Sequence, residues 1–212
     1  MNVALPELLI NGTSRAECTI VLAHGAGAPM DTDFMNAFAN ALAARGLRVV
    51  RFEFPYMAER RRSGKRRAPD RAPVLRETWL RVVESLRPAR LVIGGKSMGG
   101  RIASLIADEA GVSGLVCLGY PFHPPGTPDR LRVEHLETLR TATLIVQGER
   151  DSLGSKGEVS RYDLSSAIKI CWMTDGDHSF KPRKASGRTA EENWQQGIEA
   201  VSAFVTSLTR GG

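Results

Sequence analysis

Short apolar runs alternate along the chain with longer segments in which apolar residues recur every three or four positions. The short runs are continuous and rich in Val, Ile and Leu, a pattern typical of parallel strands that are covered on both faces. They predict strands at Thr19–Ala23, Leu47–Phe54, Arg90–Gly94, Gly114–Leu118, Ala142–Gln147 and Ala167–Met173. Val3–Ile10 is a candidate for a further strand, at an edge of the sheet because it contains Pro6.

The longer segments predict four amphipathic helices, whose apolar stripes we expect to face the core. The stripes are Phe34, Phe38 and Leu42; Leu75, Trp79, Val82 and Leu86; Met98, Ile102, Leu105 and Ile106; and Trp194, Ile198, Val201, Val205 and Leu208. The alternation predicts an α/β fold with a mostly parallel central sheet and helices on both faces. We find no repeat or linker, and expect one domain over residues 1–212. The basic segments 58–71 and 179–188 break the pattern and are predicted to be loops.

Composition and charge limit the function only broadly. The 212 residues suffice for a buried core, and a net charge of +6 indicates an anionic partner of unspecified kind. Cys18, Cys117 and Cys171 lie in apolar segments without C-x-x-C spacing, which favours buried thiols in a reducing compartment. The chain shows neither a signal-peptide pattern at its start nor an apolar run of about 18 residues, so we expect a soluble cytoplasmic protein that does not span a membrane.

The segment GGKSMGG at residues 94–100 has two interpretations. Its GKS could end a phosphate-binding P-loop, but that motif needs a glycine where this chain has Arg90, and a loop where it has a predicted strand. Its GKSMG matches the G-x-S-x-G nucleophile elbow, in which Ser97 stands between a strand and a helix. Gly95 and Gly99 are the small neighbours that such a strained turn requires. A serine that only caps the helix is the alternative.

A serine hydroxyl becomes a nucleophile when a base takes its proton, and the base needs a carboxylate to orient it. Asp151 follows the fifth of the six predicted core strands, and His178 follows the sixth. Because the carboxyl ends of parallel strands share one edge of the sheet, we expect both residues to meet Ser97 there. Asp175 and Asp177 are alternatives to Asp151 as the acid.

The oxyanion of a tetrahedral intermediate needs two backbone N–H donors. We expect Met98 to supply one, because it follows the nucleophile. The other is expected from the loop HGAGAP after the first core strand, with Ala26 preferred and Gly25 next. His24 is expected to fix this loop by hydrogen bonds rather than to act in catalysis.

Five segments of the chain resemble one branch of the α/β-hydrolase superfamily: HGAGAPMDTDFM, RFEFPYMAERRRSGKRRAPDR, GGKSMGGRIAS, QGERDSLGS and DGDHSFKPRK. The branch includes bacterial dienelactone-hydrolase-like proteins, a subunit of the nuclear NSL acetyltransferase complex and a testis-expressed relative. The resemblance implies the hydrolase fold, with Ser97, Asp151 and His178 at the triad positions. Dienelactone hydrolases proper have cysteine at the elbow, so the serine here favours a serine esterase over dienelactone activity.

Little or no lid is expected over the site, because residues 119–141 leave room only for a proline-rich loop and one short helix. Tyr120 and Phe122 in this segment either line the acyl pocket or pack the loop. Both alternatives fit residues that follow the end of a strand.

Basic residues cluster after strands on the edge that carries the triad residues. They are Arg60, Arg61, Arg62, Lys65, Arg66, Arg67, Lys181, Arg183 and Lys184. They form either a solvated surface or a positive rim that attracts an anionic substrate or an acidic protein. Arg62, Lys181 and Lys96 are the candidate substrate contacts among the basic residues. No aromatic residues interleave with these charges, so a nucleic acid partner is not expected.

The sequence therefore predicts a lid-poor α/β hydrolase that cleaves a small-molecule ester or thioester, neutral or anionic. Ser97, His178 and Asp151 carry out the reaction, and no metal or cofactor is expected. The alternative is a binding or scaffold protein on the same fold, with the basic rim as its contact to an acidic partner. The presence of all three triad groups favours the enzyme.

Overall fold

The computed structural model describes residues 3–86, 88 and 90–210, except for the side chains of residues 209 and 210. The described residues form a seven-stranded sheet in the order β1-β3-β2-β4-β5-β6-β7. The strands are β1 (Leu8–Asn11), β2 (Thr19–Ala23), β3 (Arg48–Phe52), β4 (Leu91–Lys96), β5 (Gly114–Leu118), β6 (Thr143–Gly148) and β7 (Ile168–Met173). β1 pairs with β3 in antiparallel orientation, and the remaining neighbours pair in parallel. The predicted α/β fold with a mostly parallel sheet is confirmed.

Helices cover both faces of this sheet. They are α1 (Asp33–Ala44), α2 (Pro55–Ser63), α3 (Ala72–Leu86), α4 (Met98–Ser104), α5 (Glu134–Glu137), α6 (Lys156–Val159) and α7 (Ala190–Arg210), with a 3-10 turn at Lys184–Ser186. Val21 and Ile93 pack on the face covered by α3 and α4, whereas Ile20 and Val92 pack on the face covered by α1 and α7. The central strands β2, β4, β5 and β6 are buried on both faces, which accounts for their nearly continuous apolar sequences.

The six core strands form with ends that differ from the prediction by at most two residues. The edge strand is shorter than predicted and begins at Leu8, beyond Pro6. The connection between β5 and β6 contains one four-residue helix, α5, as predicted for a fold with little lid. None of the helices in the described part of the chain is long and apolar enough to cross a membrane.

Two sequence predictions about local structure are wrong in part: one concerns a predicted loop, and the other the length of a predicted helix. The basic segment 58–71 is not all loop, because its first residues belong to α2, which starts at Pro55 and ends before Gly64 with a left-handed φ of 68°. Proline is favourable in the first turn of a helix and glycine at its end, which fits the bounds of α2. Only two apolar residues of α2 are buried, so the sequence shows no apolar periodicity that would predict this helix. The segment 179–188 is a loop apart from its 3-10 turn.

The third predicted helix is also shorter than its apolar stripe. The N–H groups of Leu105 and Ile106 bond to the carbonyl oxygens of Ile102 and Ala103, three residues back, at 3.2 and 3.1 Å. These tighter turns end α4 at Ser104, although Ile106 stays fully buried.

A histidine joins α5 to α4 and to the end of β5. Nε2 of His135 lies 2.8 Å from Oγ of Ser104 and 3.4 Å from the hydroxyl of Tyr120. Burial, and then the nearby positive charge of Arg101, lower the pKa of His135 to about 4. The neutral imidazole is therefore the form that fits this contact.

We expect the free energy of unfolding to fall as the pH is lowered from 7 to 5. In this range the unfolded chain binds a proton at His135, whose ordinary pKa is 6.5, whereas the folded chain binds it only near pH 4. The loss at pH 5 from this residue should be about 1–2 kcal/mol. Urea unfolding at both pH values measures it.

The variant His135→Gln should lose less stability between pH 7 and pH 5 than the wild type. Burial also lowers the pKa of His24, but that residue contributes equally in both proteins. An identical loss in wild type and variant would contradict the assignment to His135.

Candidate active site

Ser97 occupies a strained turn between β4 and α4. Its φ of 50° and ψ of −115° are unusual for a residue with a side chain, and such conformations cost on the order of 1–3 kcal/mol. The N–H of Ser97 donates to the carbonyl oxygen of Leu118 on β5 at 3.0 Å, and the N–H of Arg101 donates to that of Ser97 at 3.0 Å. Within the described chain the hydroxyl makes no capping bond to α4, so it is available for another partner.

The glycines of the elbow let this turn lie against the end of β2. A Cβ at Gly99 would stand 2.5 Å from the carbonyl oxygen of Ala23, and a Cβ at Gly95 would overlap the same oxygen. A third glycine, Gly100, packs against the carbonyl oxygen of Gly95 in the same way. Backbone therefore contacts backbone here, and the contact holds Ser97 beside the loop that follows β2.

Ser97, His178 and Asp151 form one chain of hydrogen bonds. Nε2 of His178 lies 2.8 Å from Oγ of Ser97, and Nδ1 lies 2.7 Å from Oδ2 of Asp151. Since the carboxylate can only accept, Nδ1–H donates to it and Nε2 is left to accept from the hydroxyl. The His178 side chain is 28% exposed and Asp151 is fully buried, so a substrate can reach the imidazole but not the carboxylate.

Gln147, at the end of β6, holds Asp151 in place. Its Nε2 donates to Oδ2 of Asp151 at 3.0 Å, while the N–H of Leu153 donates to Oδ1 at 2.8 Å. Oε1 of Gln147 accepts the N–H of Tyr120 at 2.7 Å, which ties the loops after β5 and β6 together. Sequence reasoning missed this residue. Its one signal was a polar side chain inside an otherwise apolar strand.

The two alternative acids have other partners. Asp175 pairs with Arg150 and Arg183, and the bonds from Arg183 lower the pKa of Asp175 to about 2. Oδ1 of Asp177 accepts the N–H groups of Ser179 and Lys181, at 2.8 and 2.9 Å. Both carboxylates therefore shape the loop around His178 instead of contacting its ring.

Lys96 contacts the loop of the histidine directly. Its Nζ donates to the carbonyl oxygen of His178 at 2.6 Å and lies 5.7 Å and 6.0 Å from the ring centres of Phe34 and Phe180. Burial lowers the pKa of the ammonium to about 8, against the opposing effects of Asp151 and Asp177. Lys96, predicted as a candidate substrate contact, therefore supports the backbone of the loop at His178.

The loop after β2 lies next to the serine. A Cβ on Gly25 would stand 3.6 Å from that of Ser97. Nδ1 of His24 donates to the carbonyl oxygen of Gly25 at 2.7 Å, and Nε2 accepts the N–H of Phe54 at 3.1 Å. The Tyr56 hydroxyl donates to the carbonyl oxygen of Ala26 at 2.9 Å. His24 fixes the loop as predicted, and Tyr56 is a further support that the sequence did not indicate.

Two cavities meet at Ser97. The Arg101 cavity, of about 430 Å³, is lined by Ala26, Leu75, Ser97, Met98, Arg101 and Arg132, among others. The His178 cavity, of about 370 Å³, is lined by Gly25, Ala26, Phe34, Lys96, Ser97 and His178, among others. Ala26 and Ser97 border both, so the serine stands between two spaces that could hold the two halves of a substrate. Among the described residues, no group of three His, Cys, Asp or Glu side chains is arranged to hold a metal ion.

Tyr120 and Phe122 pack the loop after β5 and do not line either cavity. Both are fully buried. The Tyr120 hydroxyl donates to the carbonyl oxygen of Arg132 at 3.0 Å, and the Phe122 ring lies against Gly154 of the next loop. Of the two alternatives predicted for these residues, packing of the loop is therefore the one that fits the structure, whereas Pro121 between them lines the Arg101 cavity.

Much of the predicted basic rim is neutralised by neighbouring carboxylates. Arg61 pairs with Glu53 and Asp31, and Arg62 pairs with Glu59. Arg62 lines a separate cavity whose described lining does not include Ser97, and Lys181 is exposed. Neither residue borders the two cavities at the serine, so the structure does not support them as substrate contacts.

This geometry can be compared with known proteins. A sequence profile of the alpha/beta hydrolase domain matches residues 16–206 of the chain. The chain belongs to the alpha/beta hydrolase domain family. The match includes all seven residues of the elbow segment GGKSMGG and both loops that carry Asp151 and His178.

Solved structures of other α/β hydrolases have the same fold. A serine hydrolase homologue from Coxiella burnetii has a TM-score of 0.70 and 22% identity, covering 91% of this chain and 90% of that one. A serine hydrolase without a lid from Xanthomonas campestris has a TM-score of 0.67 and 18% identity, covering 91% and 88%. Dienelactone hydrolase from Anabaena variabilis has a TM-score of 0.66 and 17% identity, also covering 91% and 88%.

We expect Gly99→Ala to lower the free energy of unfolding by about 1–3 kcal/mol, because its methyl group would overlap the backbone of β2. Gly157→Ala in α6 is the matched control, since a Cβ there meets no atom within 4 Å in the described structure. Thermal or urea unfolding of both variants measures the difference. Equal stability of the two variants would show that the elbow contact is not tight.

Proposed function

We propose that the protein is a serine hydrolase of the carboxylesterase or thioesterase type. The observation that supports it most is the continuous hydrogen-bonded chain from Ser97 through His178 to the buried Asp151. The strained turn adds to this, because it presents a hydroxyl that does not cap its own helix. Strain of this kind is typical of functional positions.

In the proposed reaction, Nε2 of His178 takes the proton from Oγ of Ser97 as the oxygen attacks the ester carbonyl. Asp151 keeps Nδ1 protonated and stabilises the imidazolium. The imidazolium then gives its proton to the leaving oxygen or sulfur, and the acyl group stays on Ser97. Water, activated by the same imidazole, hydrolyses the acyl-enzyme and restores the serine. No metal or cofactor takes part in these steps.

The oxyanion donors that we propose are the N–H groups of Met98 and Ala26, with Gly25 as the alternative to Ala26. Met98 and Ala26 line the Arg101 cavity together with Ser97. Bonds from His24 and Tyr56 to the carbonyl oxygens of the loop hold its backbone in position before a substrate arrives. Preorganised donors of this kind stabilise developing charge without reorganisation.

The substrate that we propose is a small ester or thioester whose two parts lie in the two cavities that meet at Ser97. The resemblance to the dienelactone-hydrolase-like branch supports the reaction class. A serine nucleophile supports an esterase rather than a dienelactone hydrolase. Among structural neighbours, Est1E from Butyrivibrio proteoclasticus was solved with bound ferulic acid, at 13% identity to this chain.

Ser97→Ala should abolish covalent labelling by a fluorophosphonate probe, because the probe needs an activated serine oxygen. Ser160→Ala, which removes an exposed hydroxyl elsewhere, should be labelled like the wild type. Labelling followed by mass spectrometry, together with turnover of p-nitrophenyl acetate, measures both. If neither labelling nor turnover depends on Ser97, the enzyme proposal fails and the alternative of a binding protein is favoured.

Asp151→Asn should lower kcat by about 10⁴-fold, because an amide no longer holds the imidazole in the tautomer with Nδ1 protonated. Asp177→Asn changes a carboxylate of the same loop that bonds only backbone N–H groups, and we expect a change of kcat of no more than a few fold. Comparable losses of kcat in the two variants would argue against Asp151 as the acid of the triad.

A further inference from the structure

Two arginines, Arg101 and Arg132, line the Arg101 cavity beside Ser97. Arg101 lies on α4, four residues after the serine, and its backbone N–H donates to the serine carbonyl oxygen. Arg132 comes from the segment before α5, where its N–H donates to the carbonyl oxygen of Phe122 at 2.7 Å. The two side chains separate this cavity from a second one, lined by Glu134 and His135, that does not reach the serine in the described structure.

Neither guanidinium is neutralised by a carboxylate in the described part of the chain. Arg61, Arg62 and Arg183 each have an ion pair, but none is formed by Arg101 or Arg132. Nε of Arg101 is buried and has no hydrogen-bond partner among the described residues. Burial, and then the charge of Arg101, lower the pKa of the Arg132 guanidinium. Two arginines that lack a carboxylate partner in the described structure and border the same cavity can both donate to an anionic group bound there.

Asp70 is the one acidic residue on the described wall of the Arg101 cavity. Its Oδ2 accepts the backbone N–H of Tyr56 at 2.9 Å, which fixes it to the start of α2. Asp70 is not among the charges that act on Arg132. The remaining wall near the serine is apolar, with Leu75, Met98 and Ile102.

The proposed mechanism determines which half of the substrate enters this cavity. His178 must give its proton to the leaving oxygen, so the leaving group lies on the side of the His178 cavity, which the imidazole lines. The acyl chain then extends into the Arg101 cavity. Ser97, Arg101 and Arg132 border this one cavity of about 430 Å³, so an acyl chain on the serine can extend along it toward the two arginines.

We propose that Arg101 and Arg132 bind a carboxylate at the far end of the acyl chain, so that the preferred substrates are half-esters or half-thioesters of short dicarboxylic acids. Guanidinium groups recognise carboxylates through paired N–H donors, and the apolar wall accommodates the methylene groups between the two ends. This inference rests on the proposed serine hydrolase function and adds the substrate class to it.

The test compares monomethyl glutarate with methyl pentanoate, which has the same acyl length but no terminal charge. We expect kcat/KM of the wild type to be at least about tenfold higher for the glutarate ester, as one charge-assisted hydrogen bond implies. Arg101→Gln and Arg132→Gln should each reduce this ratio severalfold. Arg130→Gln, an exposed arginine two residues from Arg132, is the matched control and should preserve it.

A second measurement uses the unaltered protein, and so does not depend on how the variants fold. Free glutarate should inhibit hydrolysis of methyl pentanoate competitively, more strongly than pentanoate does, and added salt should weaken the inhibition. If glutarate and pentanoate inhibit equally, the carboxylate site is overturned.

The outcomes for the site and for the enzyme can be separated. Ser97-dependent hydrolysis of methyl pentanoate, with no preference for monomethyl glutarate and no effect of Arg101→Gln, would overturn the carboxylate site and leave the serine hydrolase standing. Hydrolysis of neither ester, with no fluorophosphonate labelling of Ser97, would instead overturn the proposed function and the inference with it.

Discussion

The contact between the elbow and the carbonyl oxygen of Ala23 is the constraint on which the rest of the site depends. No side chain fits between β2 and the turn at Gly95 and Gly99, so the strand end and the serine turn form one rigid unit. The loop that starts at His24 is thereby brought beside Ser97, where hydrogen bonds of His24 and Tyr56 fix it. The strained backbone conformation of Ser97 is tolerated because the turn is packed against the buried strands β2 and β5, which exclude other conformations.

Charge inside this edge of the sheet is managed by buried hydrogen bonds. Asp151 is fully buried and receives donors from Gln147, Leu153 and His178, so its charge is solvated by the protein in place of water. Gln147 also accepts the N–H of Tyr120 in the loop after β5, so the position of Asp151 depends on the packing of that loop. By contrast, Nε of Arg101 is buried and has no hydrogen-bond partner among the described residues.

Chain order and apolar runs were enough to predict the strands and the meeting of Ser97, Asp151 and His178, because each of these residues lies in the connection after a strand and parallel strands end at one edge. Contacts between distant loops could not be predicted in this way. The tertiary packing alone places the Phe122 ring against Gly154. It also leaves Nε of Arg101 without a hydrogen-bond partner among the described residues. The short basic helix α2 was missed because it buries too little apolar surface to leave a periodic pattern.

Lys96 has a consequence for how the site moves. It stands at the variable position of G-x-S-x-G, yet its ammonium bonds the backbone of the His178 loop and lies between two aromatic rings. The strand β4, which precedes Ser97, thus anchors the loop that carries His178. A motion that lifts this loop would therefore stretch two contacts together, the bond from Lys96 to its backbone and the bond from the His178 ring to Ser97, and we expect them to open as one local unit.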